Sequence, residues 1–277
     1  MNLVAQGEDI DNLALKTLAK LVHAKAIEQI TSTAFRLVDA DPATDVAPHC
    51  RAHDIDWAWV PPGRRLTDMG LFVTDMDSTL INIECIDEIA DMQGLKQEVA
   101  AITESAMRGE IDFRESLSRR VALLAGLPES ALGRVYEERL RLNPGAETLM
   151  RGLREAGVRT VLVSGGFTYF TERLQQRLGF DYAYANQLEV VDGRLTGKVI
   201  GPVVDGEAKA EHLCRIRDEL GLAPQQVIAA GDGANDKLML EAAGVGIAYH
   251  AKPVLREAAD HRLDFVGLDG ILALFAG

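Results

Sequence analysis

Two aspartates stand one residue apart at the end of an apolar run in LFVTDMDSTL, residues 71–80: Asp75 and Asp77. Like charges this close each raise the cost of ionising the other. The pair therefore suits chemistry in which one carboxylate is ionised and the other protonated, or in which both answer to a cation. It does not open a calcium-binding EF-hand loop. Leu80 stands where position six of such a loop requires glycine, and Ile86 where position twelve requires glutamate.

Two further apolar runs, VRTVLVS and QQVIAAGD, end in Ser164-Gly165-Gly166 and Gly231-Asp232-Gly233. Brought together, Asp75, Asp77, Asp232 and the Ser164 hydroxyl form an oxygen donor set for a hard divalent cation such as Mg²⁺. The glycines let backbone N–H groups approach an anion closely at a helix start. Lys209, near the beginning of EAKAEHLCRIRDEL, offers a cationic partner. Singly, these features are common: an Asp-x-Asp pair is usually a solvated edge, Gly-Asp-Gly a turn, a helix lysine a surface charge. Their joint order carries the information.

The elements that must position them follow from hydrophobic periodicity. From about Val158 onward, short buried strands alternate with amphipathic helices, as in the helix where Phe170, Leu174 and Leu178 recur every fourth residue. This alternation implies an α/β fold with a doubly wound, Rossmann-like parallel sheet. LEVVDGRLTGKV adds a β-hairpin around an Asp-Gly turn. Between the first strand and Val158 lie four helical segments. One opens with Asp112 and Glu115 spaced as a capping box, and its Leu117, Val121 and Leu124 share one face. Inserted directly after the first strand, these helices form a cap over the strand ends, where open α/β sheets bind ligands. The expected domains are a core of residues 70–81 and 145–277, a helical cap of 82–144, and a small α+β region of 1–69. In that last region NLVAQ and AFRLVDA read as strands and DNLALKTLAKLVHA as a helix.

Composition narrows the function. A chain of 277 residues with a formal net charge of −13 lacks the basic surface that nucleic acid or an anionic membrane requires, yet it can hold a basic pocket for a small phosphorylated molecule. Cys50, Cys85 and Cys214 form no C-x-x-C pair, which suits free thiols in a reducing compartment. The start, MNLVAQGEDID, has no signal-peptide character, and no apolar stretch is long enough to span a bilayer, so a cytoplasmic location is expected.

D-x-D-x-T at Asp75–Thr79, then Ser-Gly-Gly, Lys209 and G-D-G-x-N-D at Gly231–Asp236 resemble the haloacid dehalogenase-like superfamily of phosphohydrolases. Within it, DMDSTLINIECIDEIA, SLSRRVALL, VSGGF and AAGDGANDKLML look like the phosphoserine phosphatase branch, from about residue 70 to the C-terminus. The resemblance implies a haloacid dehalogenase-like core and hydrolysis of O-phospho-L-serine, the last step of serine biosynthesis. It implies Asp75 as the nucleophile that becomes an aspartyl-phosphate, and Asp77 as general acid and then base. Mg²⁺ would be held by Asp75, the Asp77 backbone carbonyl and Asp232, with Asp236 orienting metal-bound water. Ser164, Gly165, Gly166, Lys209 and Asn235 would surround the phosphoryl group. In the cap, Glu84 would take the substrate ammonium, Arg120 its carboxylate, and Met107 and Phe113 would screen water. Other readings stay open: a relative acting on another small phosphate ester or transferring phosphate to an alcohol, and a phosphorylatable switch. The N-terminal region reads either as a passive folding or oligomerisation unit, with a homodimer in view, or as a reduced serine-sensing module.

Overall fold

A computed structural model describes residues 1–276, apart from the Met107 side chain. Residues 1–60 build a four-stranded antiparallel sheet of order β2-β3-β1-β4, from β1 Asn2–Gln6, β2 Ala26–Gln29, β3 Ala34–Val38 and β4 Asp56–Val60. Alternate residues face opposite ways, as strand geometry requires. Leu3, Ala5 and Leu37 pack under α1 Asn12–Leu21 and α2 Ala47–Ala52, with Leu15, Leu18, Val46 and Cys50. Val4, Ala34, Ala58 and Val60 turn the other way and join the main core beside Phe275. The N-terminal sheet thus contributes buried residues from both faces, and its second face is built into the larger domain. Periodicity alone reads only β1, α1 and β3 here. β2 has no buried residue and so no alternation, and α2 and β4 lie in a proline-bearing stretch whose polar letters hide them.

The second sheet has seven strands in the order β11-β10-β9-β5-β6-β7-β8. Its members are β5 Leu71–Thr74, β6 Arg159–Phe167, β7 Tyr182–Val191, β8 Arg194–Ile200, β9 Val227–Gly231, β10 Val245–Tyr249 and β11 His261–Leu263. All pair in parallel except the β7–β8 hairpin. Leu71 and Val73 point to one face, under α9 Gly206–Glu219, α10 Lys237–Ala242 and α11 Pro253–Ala258. Phe72 points to the other, toward α7 Ala146–Glu155, α8 Thr168–Leu178 and α12 Gly270–Ala273.

The insertion between β5 and α7 holds α3 Cys85–Asp91, α4 Lys96–Met107, α5 Phe113–Ala122 and α6 Ser130–Arg134, closing in a π-helical turn at Val135–Arg139. Half of the expected capping box forms. Asp112 accepts the Glu115 amide, but the Glu115 carboxylate turns to Arg119. Backbone pairing stitches this insertion to the β7–β8 hairpin: Gly126 donates to Leu195, Leu195 to Leu127, and Glu129 to Gly193. Among the described residues no helix is long and apolar enough to cross a membrane.

The two sheets are also joined by a buried carboxylate. Asp56 of β4 accepts the backbone amides of Asp264, Phe265 and Val266 at 2.8, 2.8 and 3.1 Å. Nearby, burial, reinforced by Arg64, depresses His261 from 6.5 to about 4. A group whose folded pKa is lowered contributes stability that is present above its unfolded pKa and lost as pH falls toward the folded one. His261 is therefore expected to make the fold acid-sensitive between pH 6.5 and 4, by up to about 3 kcal/mol. Urea unfolding of the protein and of His261→Gln at these two pH values checks this. The variant should lose less stability on acidification, and equal losses would contradict it.

Candidate active site

β5, β6 and β9 are adjacent in the sheet, so the residues that follow them meet at one edge. Carboxylate oxygens of Asp75, Asp232 and Asp236, all three buried, lie within 4.8 Å of one another. Lys209, reaching in from α9, is fully buried among them. Its Nζ sits 2.7 Å from Asp75 Oδ1 and 2.7 Å from Asp236 Oδ1. It donates a hydrogen bond to Asp236, whereas its approach to Asp75 is poorly aligned and leaves Asp75 Oδ1 a buried oxygen without a hydrogen bond. A buried lysine ordinarily loses its proton readily. Here Asp236 and Asp75 outweigh burial, and the pKa of Lys209 is raised.

The remaining oxygens divide by function. Asp236 Oδ2 accepts the amides of Asp232 and Gly233, so this carboxylate is largely committed to the protein. Asp232 Oδ1 accepts the Thr79 hydroxyl at 3.1 Å, while among the described residues Oδ2 has only the exposed Lys252 at 3.7 Å. None of the described donors hydrogen-bonds to the Asp77 carbonyl. Ionised together, these three carboxylates would leave two negative charges beyond the one that buried Lys209 balances. Burial, with the neighbouring acids, pushes Asp75 well above the carboxylate range and Asp232 up to about 6. An unbalanced charge of this sign and size, lined by oxygens that lack donors, fits a divalent metal ion.

Asp77 is half-buried and accepts the Cys85 amide at the start of α3. Loss of solvent, then the Glu84 carboxylate, raises it to about 8. At neutral pH it is a proton donor beside an acid whose neighbours include a lysine.

Ser164 is buried, and its Oγ accepts the Gly166 amide at 2.8 Å, which leaves the hydroxyl hydrogen free to donate elsewhere. β6 runs on through both glycines to Phe167 and α8 begins only at Thr168, so the Ser-Gly-Gly segment is strand rather than the helix start expected from sequence. The glycines answer a steric demand. A Cβ on Gly166 would stand 2.8 Å from Asp77 Oδ2, and one on Gly165 would stand 3.0 Å from the Phe113 ring. Asn235 folds its Oδ1 over Gly233.

The cap brings charge of both signs. Glu84 and Arg120 are half-buried, and Arg120 sits in the field of Asp87, Glu84 and Asp77. Arg119, its neighbour, points away to Glu115. Phe113 lies over Gly165. Arg114 reaches across from the cap to Asp205 at the start of α9, with Nε and Nη2 at 2.8 and 2.7 Å. The Met107 side chain lies outside the described residues.

Several residues near this edge have no signal in sequence. Asn186 of β7 is fully buried, donates to the Gly165 and Val204 carbonyls and accepts the Val204 amide. Asn143, on the return from the cap, donates to the Ser78, Thr79 and Ile81 carbonyls. A lone Asn in a loop or strand is unremarkable until its partners are known. Thr79 was visible only as a letter of the D-x-D-x-T pattern.

Comparisons with known proteins agree with this fold. The sequence model of the haloacid dehalogenase-like hydrolases matches residues 72–241, and that of a domain of unknown function matches 3–52. A phosphoserine phosphatase of Polaromonas sp. is 53% identical over 77% of this chain and 92% of its own. The crystal structure of a probable phosphoserine phosphatase from Vibrio cholerae, unliganded, superposes with a TM-score of 0.87 at 36% identity, covering 99% of this chain and 86% of that one. A phospho-aspartyl intermediate analogue of phosphoserine phosphatase matches with a TM-score of 0.69 at 42% identity, over 74% of this chain and 97% of that one.

Proposed function

This chain belongs to the haloacid dehalogenase-like hydrolase family, and from that premise we propose that it hydrolyses O-phospho-L-serine to L-serine and phosphate. The observation that carries the reading is the buried lysine bracketed by Asp75 and Asp236, at a sheet edge where Arg120 of the cap sits in the field of Asp87, Glu84 and Asp77. The first half of that arrangement answers a phosphate ester, the second a zwitterion.

Asp75 is the nucleophile: one of its oxygens forms a bond to phosphorus as the bond to the serine oxygen breaks. Asp77 gives its proton to that oxygen, then takes one from the water that cleaves the aspartyl-phosphate. Its elevated pKa fits the first task, and the carboxylate left behind performs the second. The Ser164 hydroxyl, the Gly165 and Gly166 amides, Lys209 and Asn235 hold the phosphoryl oxygens where charge develops. Asp75, the Asp77 carbonyl and Asp232 would hold Mg²⁺, with Asp236 behind them. When bound, the ion supplies positive charge that offsets repulsion between Asp75 and the phosphate. Glu84 takes the substrate ammonium and Arg120 its carboxylate, for which a planar guanidinium is suited. Phe113 screens the site from water, the place also given to Met107.

Phosphate release from O-phospho-L-serine, O-phosphoethanolamine and phosphoglycolate, with Mg²⁺ and with chelator, tests the proposal. Phosphoserine should be the best of the three, and chelator should abolish turnover. A folded, Mg²⁺-loaded protein with no preference for phosphoserine would refute it. In the same assay Arg120→Ala should cut kcat/KM for phosphoserine and phosphoglycolate by about 10–100-fold, as loss of a charged hydrogen-bonding partner does. The effect on phosphoethanolamine, which has no carboxylate, should be far smaller. Equal losses on all three would remove Arg120 from that role.

A further inference from the structure

Glu84 precedes α3 and is its N-cap residue, yet its side chain makes no bond to the helix amides. The cap bond comes instead from Asp77, which accepts the Cys85 amide. Glu84 is held from another side: Ser78 Oγ donates to Glu84 Oε1 at 2.7 Å. Among the described residues no other side chain hydrogen-bonds or ion-pairs to this carboxylate. One oxygen is therefore anchored, and the other is left for an incoming donor.

The backbone at Ser78 shows that its side chain is there for a reason. Ser78 has φ +58°, a left-handed conformation that L-residues with a Cβ adopt at a cost and glycine adopts freely. The conformation is enforced from several directions. The Ser78 amide donates to the Ile83 carbonyl, and Asn143 Nδ2 clamps the carbonyls of Ser78, Thr79 and Ile81. Strained residues persist where the surroundings over-determine them and cluster where precise placement matters. Glycine would relieve the strain here, and it would delete the one hydrogen bond that, among the described residues, orients Glu84.

We propose that Ser78 is a specificity-determining positioning residue: its hydroxyl fixes the Glu84 carboxylate so that its second oxygen recognises the ammonium group of the substrate. The step is one of binding alone, and Ser78 touches neither phosphorus nor the leaving oxygen. The inference rests on the reading of Glu84 as the ammonium's partner. It adds what aims Glu84, and it explains why the residue after the second aspartate carries a hydroxyl in a conformation that favours glycine.

The test uses the full chain with Mg²⁺ and compares kcat/KM for O-phospho-L-serine with that for phosphoglycolate, which keeps the carboxylate and lacks the amine. Both compounds and O-phosphoethanolamine are also measured as inhibitors of p-nitrophenyl phosphate hydrolysis, so that the preference is read from affinity where turnover is too slow. Ser78→Ala and Ser78→Gly should each lower the phosphoserine-to-phosphoglycolate ratio by about tenfold or more, the effect of losing a hydrogen bond to a charged group. Ser78→Gly should melt at or above Ser78→Ala, so the ratio will not follow stability. Glu84→Gln should lower the same ratio, and adding Ser78→Ala to it should lower it no further. A ratio that falls in Glu84→Gln but not in Ser78→Ala would overturn the role of Ser78 while leaving that of Glu84. Independent, multiplying losses in the double variant would overturn it too. A ratio unmoved by Glu84→Gln would overturn the reading of Glu84, and this inference with it.

Discussion

Asp75→Asn is expected to lower phosphoserine turnover by on the order of 10⁴-fold or more, the scale at which loss of a nucleophile is felt in covalent catalysis. An amide cannot form the aspartyl-phosphate, and no second carboxylate can take its place. Asp236 is bonded to Lys209 and two backbone amides, and Asp232 is tied to Thr79. The fold should survive. Asp75 is an acid whose charge is opposed by burial and by Asp236, so a neutral isostere removes repulsion as well as attraction. Lys209 keeps Asp236 as its partner. Phosphate release and thermal melting check this together. Residual turnover above about one part in a hundred, in a variant that melts normally, would remove Asp75 as the nucleophile.

Lys209→Met should damage stability as well as activity. Lys209 has no exposed surface and is the counter-charge of two carboxylates that have almost none. Breaking a buried ion pair by deleting one member typically costs about 3–5 kcal/mol, because the other charge is left buried without compensation. The pH dependence identifies the cause. Lys209 lowers the pKa of Asp75, so without it the buried acid should rise further. An acid whose folded pKa is raised has its full stability below the unfolded value and loses it as pH rises through the folded one. The deficit of Lys209→Met should therefore shrink as pH falls from 8 toward 5. Mg²⁺ should recover part of it, since added positive charge replaces what was lost. Turnover should fall by about 10²–10³-fold, as when a group that stabilises transition-state charge is removed. Urea unfolding at the two pH values, with and without Mg²⁺, measures this. An identical deficit under all conditions would mean that lost packing, rather than charge, explains the variant.

The legible part of the site had local signatures. Asp75, Ser164 and Asp232 each follow a short apolar run, and parallel strands deliver such residues to one edge. Where the strand pattern was weak the reading thinned. β2 has no buried residue, and β4 hides its alternation between polar neighbours, so periodicity shows two strands where the structure has a four-stranded sheet. The sequence suggests a helix start for Ser-Gly-Gly, where glycines let backbone N–H groups approach an anion. Here they are strand residues kept small by Asp77 and Phe113.

Sequence alone placed Asp75 and Asp232 after apolar strands and the helical cap after the first of them, because periodicity and a fixed order of motifs are properties of short segments. Tertiary structure decided the rest. It turned Arg119 away to Glu115, buried Lys209 completely between Asp75 and Asp236, and set Asp56 to hold the turn at 264–266. It also bound Ser78 to Glu84 and Asn186 to Gly165. The physical reason is common to all of these. A side chain's role depends on which distant groups share its volume and how much water is left between them, and neither is written in the residues beside it.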